Sequence, residues 1–327
     1  MKRRNFIYLS AGSALSAISL SAMSLSATAF QAIATPALAR LAPKKSKMDR
    51  LAMGTLLWRS QFSQTRPKDV TVTGEELTIM DLPKHHSEKF GIRKLEFWSE
   101  NIESFDPAYT EAVKEQIKKY NCELLDIQFD SSPFDKEGYD LANTDEARRT
   151  AGIAHVKRWM DGAAQFGTKC VRVNPGRPGG SVDQSIRSFR ELLPYAQSKG
   201  LIIITANHFG IETDPDKHVA IVKGAPGIYT EPDFGNYNGA PDMYDSLAKI
   251  IPYAYIVSAK VVDFKRDADG RLQHISYDFD KCVQLSENLG FKGIYMVAQW
   301  SSKWPSPDIT NDDIANWTIQ HLKANIK

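Results

Sequence analysis

The sequence predicts an α/β protein built as a single (β/α)8 TIM barrel that follows an N-terminal export segment. From residue 48 onward, strand and helix signals alternate regularly, and no linker or low-complexity run divides that stretch. The strand signals are continuous apolar runs, as in parallel sheets covered by helices on both faces. About eight strands, each followed by a helix, is the count of a parallel barrel. A doubly wound open sheet is the alternative, disfavoured because no glycine-rich phosphate turn follows the first strand.

The predicted strands are short apolar segments bounded by polar or glycine-containing turns. The clearest is 201–204, where three isoleucines follow a leucine before the chain turns polar. Between the last two strands, Asp269-Gly270 predicts a hairpin turn within 263–274. The eight predicted strands are 51–58, 92–97, 124–129, 170–173, 201–204, 227–230, 254–262 and 293–298.

The predicted helices combine apolar residues at helical spacing with start and stop signals. The longest, 144–166, opens with the capping residues Thr144-Asp145-Glu146 and ends before Gly167. Gly91 and Gly200 end two other helices in the same way. The eight predicted helices are 77–90, 107–120, 144–166, 183–199, 215–223, 243–251, 278–289 and 308–326.

The first residues have the pattern of a targeting segment. Arg3 and Arg4, followed by Phe6 and a mildly apolar Ser/Ala-rich stretch, resemble a twin-arginine export signal. We therefore expect 1–39 to be a signal peptide, 48–327 to be the barrel, and the protein to be periplasmic or secreted. A retained N-terminal anchor is the alternative, although the serines and glycines make the stretch less apolar than a membrane span.

Composition excludes several function classes. The formal net charge is +2, from 41 Lys and Arg against 39 Asp and Glu, so no basic surface for nucleic acid is expected. The three cysteines are widely spaced and form neither a zinc pattern nor a redox pair. After removal of the signal, no membrane association is expected, and an oligomer is left open.

Several short motifs lie at the predicted strand ends and follow one another in a fixed order. They are FGI at 90–92, LEF at 95–97, VRVN at 171–174, NHFGI at 207–211, PDFGN at 232–236, PYA at 252–254 and AK at 259–260. Taken together, they make the chain similar to the sugar phosphate isomerase/epimerase family, the xylose-isomerase-like barrels. The resemblance covers nearly all of the chain after the signal. It implies a small-molecule carbohydrate as the partner.

The resemblance also raises the question of a metal cofactor. The family's usual chemistry uses a divalent ion held by Glu, Asp, His and Glu at the barrel mouth. Here those positions fall on Ala206, Asp233, Ser258 and Ala298, with Gln299 beside the last. Because a single carboxylate supplies too few ligands, we expect no Mn, Mg or Zn cofactor. A metal enzyme with relocated ligands, for example Glu96, His208 and Asp233, is the alternative.

The remaining polar residues at the strand ends suggest acid–base chemistry by an isomerase, epimerase or lyase. Histidine titrates near neutral pH and a partly buried lysine can be tuned toward it, so His208 and Lys260 would exchange a proton beside a carbonyl or carboxylate. Arg172 and Asn207 would stabilise the oxyanion, and Asp233 would orient Lys260. The predicted catalytic residues are His208, Lys260, Asp233, Arg172 and Glu96. The predicted substrate-binding residues are Asn207, Asn174, Asn236, Trp98, Gln299 and Trp300.

Each of these residues could instead be an ordinary barrel or loop contact. The whole chain could likewise be a non-catalytic periplasmic sugar-binding module, with Trp98, Trp300 and Trp304 offering flat faces to sugar rings. The pair His85-His86 lies on a predicted helix away from the strand ends, and we expect it at the surface.

Overall fold

The computed structural model describes residues 46–68, 70, 74–129, 139–237, 242–300 and 308–327. The predicted signal segment 1–39 and Trp304 lie outside the described residues.

Eight parallel strands form the barrel, as the sequence predicts. They are β1 (Leu51–Gly54), β2 (Lys94–Trp98), β3 (Glu123–Gln128), β4 (Cys170–Arg172), β5 (Ile202–Ala206), β6 (Tyr229–Glu231), β7 (Ile256–Val261) and β10 (Ile294–Gln299). Neighbours follow chain order from β1 to β6, and β10 lies between β1 and β7. Parallel bridges from Thr230 to Ala254 and from Asp233 to Ser258 join the β6 and β7 edges, which closes the ring.

Helices follow the barrel strands and cover them. They are α1 (Leu82–Phe90), α2 (Pro107–Lys119), α3 (Glu146–Phe166), α4 (Val182–Ser198), α5 (Pro215–Gly224), α6 (Met243–Ile250), α7 (Phe279–Asn288) and α8 (Asn311–Asn325). The predicted caps are present: Asp145 accepts hydrogen bonds from the first turn of α3, and Gly91 and Gly167 end α1 and α3 in the left-handed conformation.

Two local differences from the sequence prediction have simple causes. Residues Thr55–Trp58, predicted as strand, form a buried 3₁₀ turn at the end of β1. The helix predicted from residue 77 begins only at Leu82, because the Asp81 side chain accepts the Thr78 N–H at 2.9 Å and holds a turn ahead of it.

The inserted hairpin after β7 is confirmed. β8 (Phe264–Arg266) and β9 (Leu272–His274) pair antiparallel, and Gly270 supplies the positive φ of the turn. Apolar side chains fill both sides of the barrel wall, with a smaller cluster inside that includes Cys170, Ile204 and Met296. Within the described residues, no helix is both long enough and apolar enough to cross a membrane.

Candidate active site

The carboxyl end of the barrel brings charged side chains from five strands together. Strand register places Glu96 beside Asp126, Ala206 beside Glu231 and Ala298 beside Lys260. Successive side chains of a strand alternate between its two faces, so residues at every second position share the interior. The charged residues of this end are Glu96, Asp126, Arg172, Glu231, Asp233 and Lys260, each exposing 6% or less of its surface.

Three of these residues form an acidic cluster. One carboxylate oxygen from each of Glu96, Asp126 and Glu231 lies within 4.8 Å of the other two. Gly54 makes room for the cluster, because a methyl group on its Cα would collide with Glu96 Oε1. Burial, together with the charge of Asp126, raises the pKa of Glu96 to about 8. Burial also raises the pKa values of Asp126 and Glu231 well above the usual range, and the like charges around them act in the same direction.

Arg172 links the acidic cluster to the rest of the site. Its Nη1 lies 3.7 Å from Glu231 Oε2 and 3.5 Å from Asp233 Oδ2. Asn236 then joins Asp233 to Lys260: its Nδ2 donates to Asp233 Oδ2 at 2.8 Å, and its Oδ1 accepts from Lys260 Nζ. Arg172 of β4, the two polar residues after β6 and the cation of β7 are therefore one connected network.

The charges of this network set its protonation. Burial acts to raise the pKa of Asp233, but Lys260 and Arg172 outweigh it and hold the pKa below its ordinary value. Burial lowers the pKa of Lys260, although the Asp233 charge opposes that shift. An ionised Asp233 between two fixed cations follows from these directions.

Asn207 holds the ends of β5 and β6 together. The Asp233 N–H donates to its Oδ1 at 2.7 Å, and its Nδ2 donates to the Asp233 carbonyl at 3.2 Å. The side chain is fully buried. Asn207, predicted to bind substrate, therefore positions Asp233 in the structure.

His208 is the predicted catalytic residue that solvent reaches. It is partly exposed, whereas Lys260, Asp233 and Arg172 are buried. A positive charge on His208 acts to lower the pKa of Asp233, so the two side chains are close enough to interact electrostatically. The ring centroid of Phe209, which is 61% exposed, lies 4.4 Å from that of His208. A partly exposed imidazole beside a buried charged network can exchange protons with a bound molecule.

The loop after β5 carries a buried carboxyl group that the sequence prediction missed. Glu212 Oε1 accepts the Gly210 N–H at 3.0 Å and so closes the loop that holds His208. Burial raises the pKa of Glu212 to about 7. A carboxyl group with such a pKa can either hold or release a proton at neutral pH.

Trp98 and Trp300 form a separate aromatic group at the ends of β2 and β10. Their ring centroids are 6.3 Å apart in an edge-to-face arrangement, and the Arg59 guanidinium lies 3.8 Å above the Trp300 ring. Trp300 remains 39% exposed while Trp98 is buried. Trp300 thus offers the more accessible aromatic face.

Of the two other predicted binding residues, Gln299 is bound to the backbone through its side chain, and Asn174 is held through its own backbone N–H. Gln299 Nε2 donates to the Val262 carbonyl at 3.1 Å, and the Asn174 N–H donates to Tyr139 Oη at 2.8 Å. Gln299 is buried, whereas Asn174 is half-buried.

Asp126 and Glu231 are the cluster members that sequence reasoning missed. Asp126 lies within the apolar run of β3 and Glu231 ends β6, and carboxylates in buried strands are rare unless they have a partner or a function. Glu231 also precedes Asp233 by two positions, the spacing that places side chains on one face of a strand. These signals could have identified both residues.

The closed parallel barrel, with its polar network at the carboxyl ends of the strands, defines a TIM barrel with a candidate active site in the usual place. The sequence profile of the xylose isomerase-like TIM barrel family matches residues 86–324, and the chain belongs to that family. The resemblance seen in the sequence is thereby confirmed. Comparison with curated protein sequences gives no match.

Solved structures share the fold at low sequence identity. A xylose isomerase-like TIM barrel protein from Mycobacterium smegmatis in complex with magnesium superposes with a TM-score of 0.59 at 16% identity, covering 87% of this chain and 100% of its own. A 3-keto-D-glucoside 4-epimerase from E. coli gives 0.54 at 14% identity, covering 82% and 98%. A probable 3-DHS dehydratase from Bacillus anthracis gives 0.54 at 14% identity, covering 83% and 97%.

The residues at the family's usual metal positions do not fit a divalent ion. Ala206, Ser258 and Ala298 lie on β5, β7 and β10, and two of these side chains have no donor atom. Asp233, the remaining carboxylate, faces Arg172 and Lys260 and accepts a hydrogen bond from Asn236. Two cations already balance the charge at this position, so an ion there would meet one carboxylate and net repulsion.

Proposed function

We propose that this chain is a carbohydrate-converting enzyme, an isomerase, epimerase or lyase that moves a proton on a carbon beside a carbonyl or carboxylate. The observation that carries the proposal is the partly exposed His208 next to the buried network of Asp233, Lys260 and Arg172. The chain belongs to the xylose isomerase-like TIM barrel family, and its structural neighbours include an epimerase and a probable dehydratase. Both findings support an enzyme of this class.

His208 and Lys260 are the proposed proton-transfer pair. His208 is exposed enough to meet a bound sugar, and imidazole is the side chain best suited to accept and return a proton near neutral pH. Burial lowers the pKa of Lys260, which eases release of its proton to the carbon that His208 has deprotonated. Two such groups on different strands could serve opposite faces of one carbon, as epimerisation requires.

Arg172 and Lys260 are proposed to provide the positive charge that a metal supplies elsewhere in the family. Both cations flank Asp233 in a water-poor site, where fixed charges stabilise a developing oxyanion strongly. Asp233 and Asn236 orient Lys260, and Asn207 fixes Asp233 through the backbone. Asn174, Gln299 and the two tryptophans are left as proposed contacts for the outer part of the substrate.

The N-terminal segment bears on where the enzyme works. We propose export through a twin-arginine signal in 1–39, which would make a free sugar or sugar acid a better substrate than a phosphate ester. Replacing Arg3 and Arg4 with lysine should keep the protein in the cytoplasm of an expressing cell. Unchanged delivery to the periplasm would contradict this part of the proposal.

A sugar-binding barrel without catalysis is the second candidate. The exposed rings of Phe209 and Trp300 favour it, because flat apolar faces at a barrel mouth suit sugar rings whether or not a reaction follows.

Hydrogen exchange separates the two candidates. The purified chain, stripped with a chelator, is incubated in D₂O with a panel of ketoses, aldoses and sugar acids, and deuterium at carbon is followed by NMR. We expect exchange on at least one sugar, reduced about 100-fold or more by His208→Gln or Lys260→Met. Lys265→Met, at an exposed site on β8, is the matched control and should leave exchange unchanged.

Each result decides between the candidates. Sugars that raise the melting temperature without any exchange would favour the binding module. Exchange that survives both site substitutions would remove the proposed proton-transfer pair.

A further inference from the structure

The acidic cluster of Glu96, Asp126 and Glu231 has no part in the proposed proton transfer. It is formed by β2, β3 and β6, whereas the family's usual metal positions lie at the ends of β5, β7 and β10 and on Asp233 after β6. We infer that Glu96, Asp126 and Glu231 form a binding site for a hard divalent cation that is distinct from the family's usual metal position.

Within the described part of the chain, carboxylate oxygens without a hydrogen bond are the first support. Both carboxylate oxygens of Asp126, both of Glu231 and Oε2 of Glu96 are buried and make no hydrogen bond of ordinary geometry to the described residues. The three residues expose 2% or less of their surface. Buried carboxylates left in this condition are costly unless a ligand or proton compensates them, and they converge here on one point inside the barrel.

Spacing is the second support. Oxygen ligands lie about 2.0–2.6 Å from Mg²⁺ or Ca²⁺, so two oxygens bound to one ion are at most about 5.2 Å apart. One oxygen from each of the three carboxyl groups lies within 4.8 Å of the other two, inside that limit. A small contraction would complete three ligands without a change of backbone.

Charge balance is the third support. When Glu96, Asp126, Glu231 and Asp233 are all ionised, they carry four negative charges. Arg172, which lies between Glu231 and Asp233, and Lys260 beside Asp233 supply two positive charges. The buried end of the barrel therefore lacks two positive charges, the charge of one divalent cation, and the cluster is the part of it without a cation of its own among the described residues.

The donor set indicates the class of ion. All three donors are carboxylates, without imidazole or thiolate in the cluster, which favours Mg²⁺, Mn²⁺ or Ca²⁺ over Zn²⁺ or Cu²⁺. Gly54 leaves the space over Glu96 open, so that its carboxyl group can reach the other two.

Binding of Mn²⁺ to the purified chain tests the site without reference to activity. The loss of the free-ion electron paramagnetic resonance signal measures the dissociation constant for the wild type and for Glu96→Gln, Asp126→Asn and Glu231→Gln. We expect each variant to weaken binding by more than the roughly 10- to 100-fold cost of losing an outer-shell partner. Circular dichroism checks folding, and should Asp126→Asn not fold, the two glutamine variants carry the test.

Two control variants locate the ion. Glu212→Gln replaces a buried carboxyl group outside the cluster and should leave Mn²⁺ binding unchanged. Asp233→Asn, at the family's usual position, should also retain it. Absence of Mn²⁺, Mg²⁺ and Ca²⁺ binding to the wild type would overturn the inference and leave protons as the compensating charge. Loss of binding in Asp233→Asn alone would overturn it as well, by placing the ion at the family's position.

Discussion

Replacing Gly54 with alanine probes how tightly the acidic cluster is built. The backbone at Gly54 has a φ of −95°, which any residue adopts, so the substitution adds no backbone strain. The new methyl group would instead meet Glu96 Oε1 at a distance that atoms do not tolerate. Overpacking of a buried site costs about 1–3 kcal/mol, and we expect Gly54→Ala to lower the free energy of unfolding by about 2 kcal/mol.

Gly54→Ala should no longer destabilise the protein once the Glu96 side chain is shortened. In a Glu96→Ala background the space over residue 54 is empty, and alanine in a strand is favoured over glycine by about 0.5–1 kcal/mol. The double-mutant cycle, measured by urea unfolding, should therefore show a coupling of about 2–3 kcal/mol between the two positions. An equal cost of Gly54→Ala in both backgrounds would refute the reasoning.

Three further predictions concern the scaffold. Burial lowers the pKa of His218 from 6.5 to about 3, so between pH 6.5 and pH 3 the unfolded chain binds a proton at this residue and the folded chain does not. The contribution of His218 to the free energy of unfolding therefore falls by about 1.4 kcal/mol per pH unit as the pH is lowered through this range. His218→Leu should make the pH dependence of stability less steep in urea titrations, and equal slopes for the variant and the wild type would contradict the prediction. Asn207→Ala leaves the buried Asp233 N–H unpaired and should lower the free energy of unfolding by about 1–3 kcal/mol in chemical denaturation. A change below about 0.5 kcal/mol would show that Asn207 does not hold the ends of β5 and β6 together. Arg50→Met removes the buried guanidinium that pairs with Glu287 at 2.7 Å and leaves this buried carboxylate with a weaker, half-exposed cation, Lys292 at 3.7 Å. The loss should cost about 3–5 kcal/mol in the same assay, and wild-type stability would contradict the prediction.

The order of strands and helices was predictable because each element carries its own local signal. Apolar runs mark the strands, and residues such as Asp145, Gly91 and Gly167 mark helix ends through backbone chemistry that depends on near neighbours alone. The hairpin at Asp269-Gly270 was predictable for the same reason.

The acidic cluster was harder to predict because it depends on strand register. A register shift between Leu95 and Glu96 pairs Glu96 with Asp126 instead of Leu125, and no local sequence feature of either strand predicts that shift. The roles within the predicted site depend on tertiary contacts in the same way. Asn207, for example, was identified correctly as a residue of the strand end, but its bonds to Asp233 follow from the closure of the barrel.

The expectation that His85-His86 lies at the surface was wrong for His86, which is fully buried. His86 lies four residues after Leu82 and four before Phe90, so helical spacing already places it on the apolar face of α1. Its ring packs 5.8 Å from that of Trp58, and burial lowers its pKa well below the usual value. Position on the helix face, more than residue polarity, therefore decides the burial of His86.

The most direct test of how this barrel differs from its family is the location of a bound ion. Crystals of the chain soaked in Mn²⁺ would reveal the metal through its anomalous scattering. We predict one peak between the carboxylates of Glu96, Asp126 and Glu231, with Asp233 still facing Arg172 and Lys260. A peak bound by Asp233 between the ends of β5 and β7 would contradict the account.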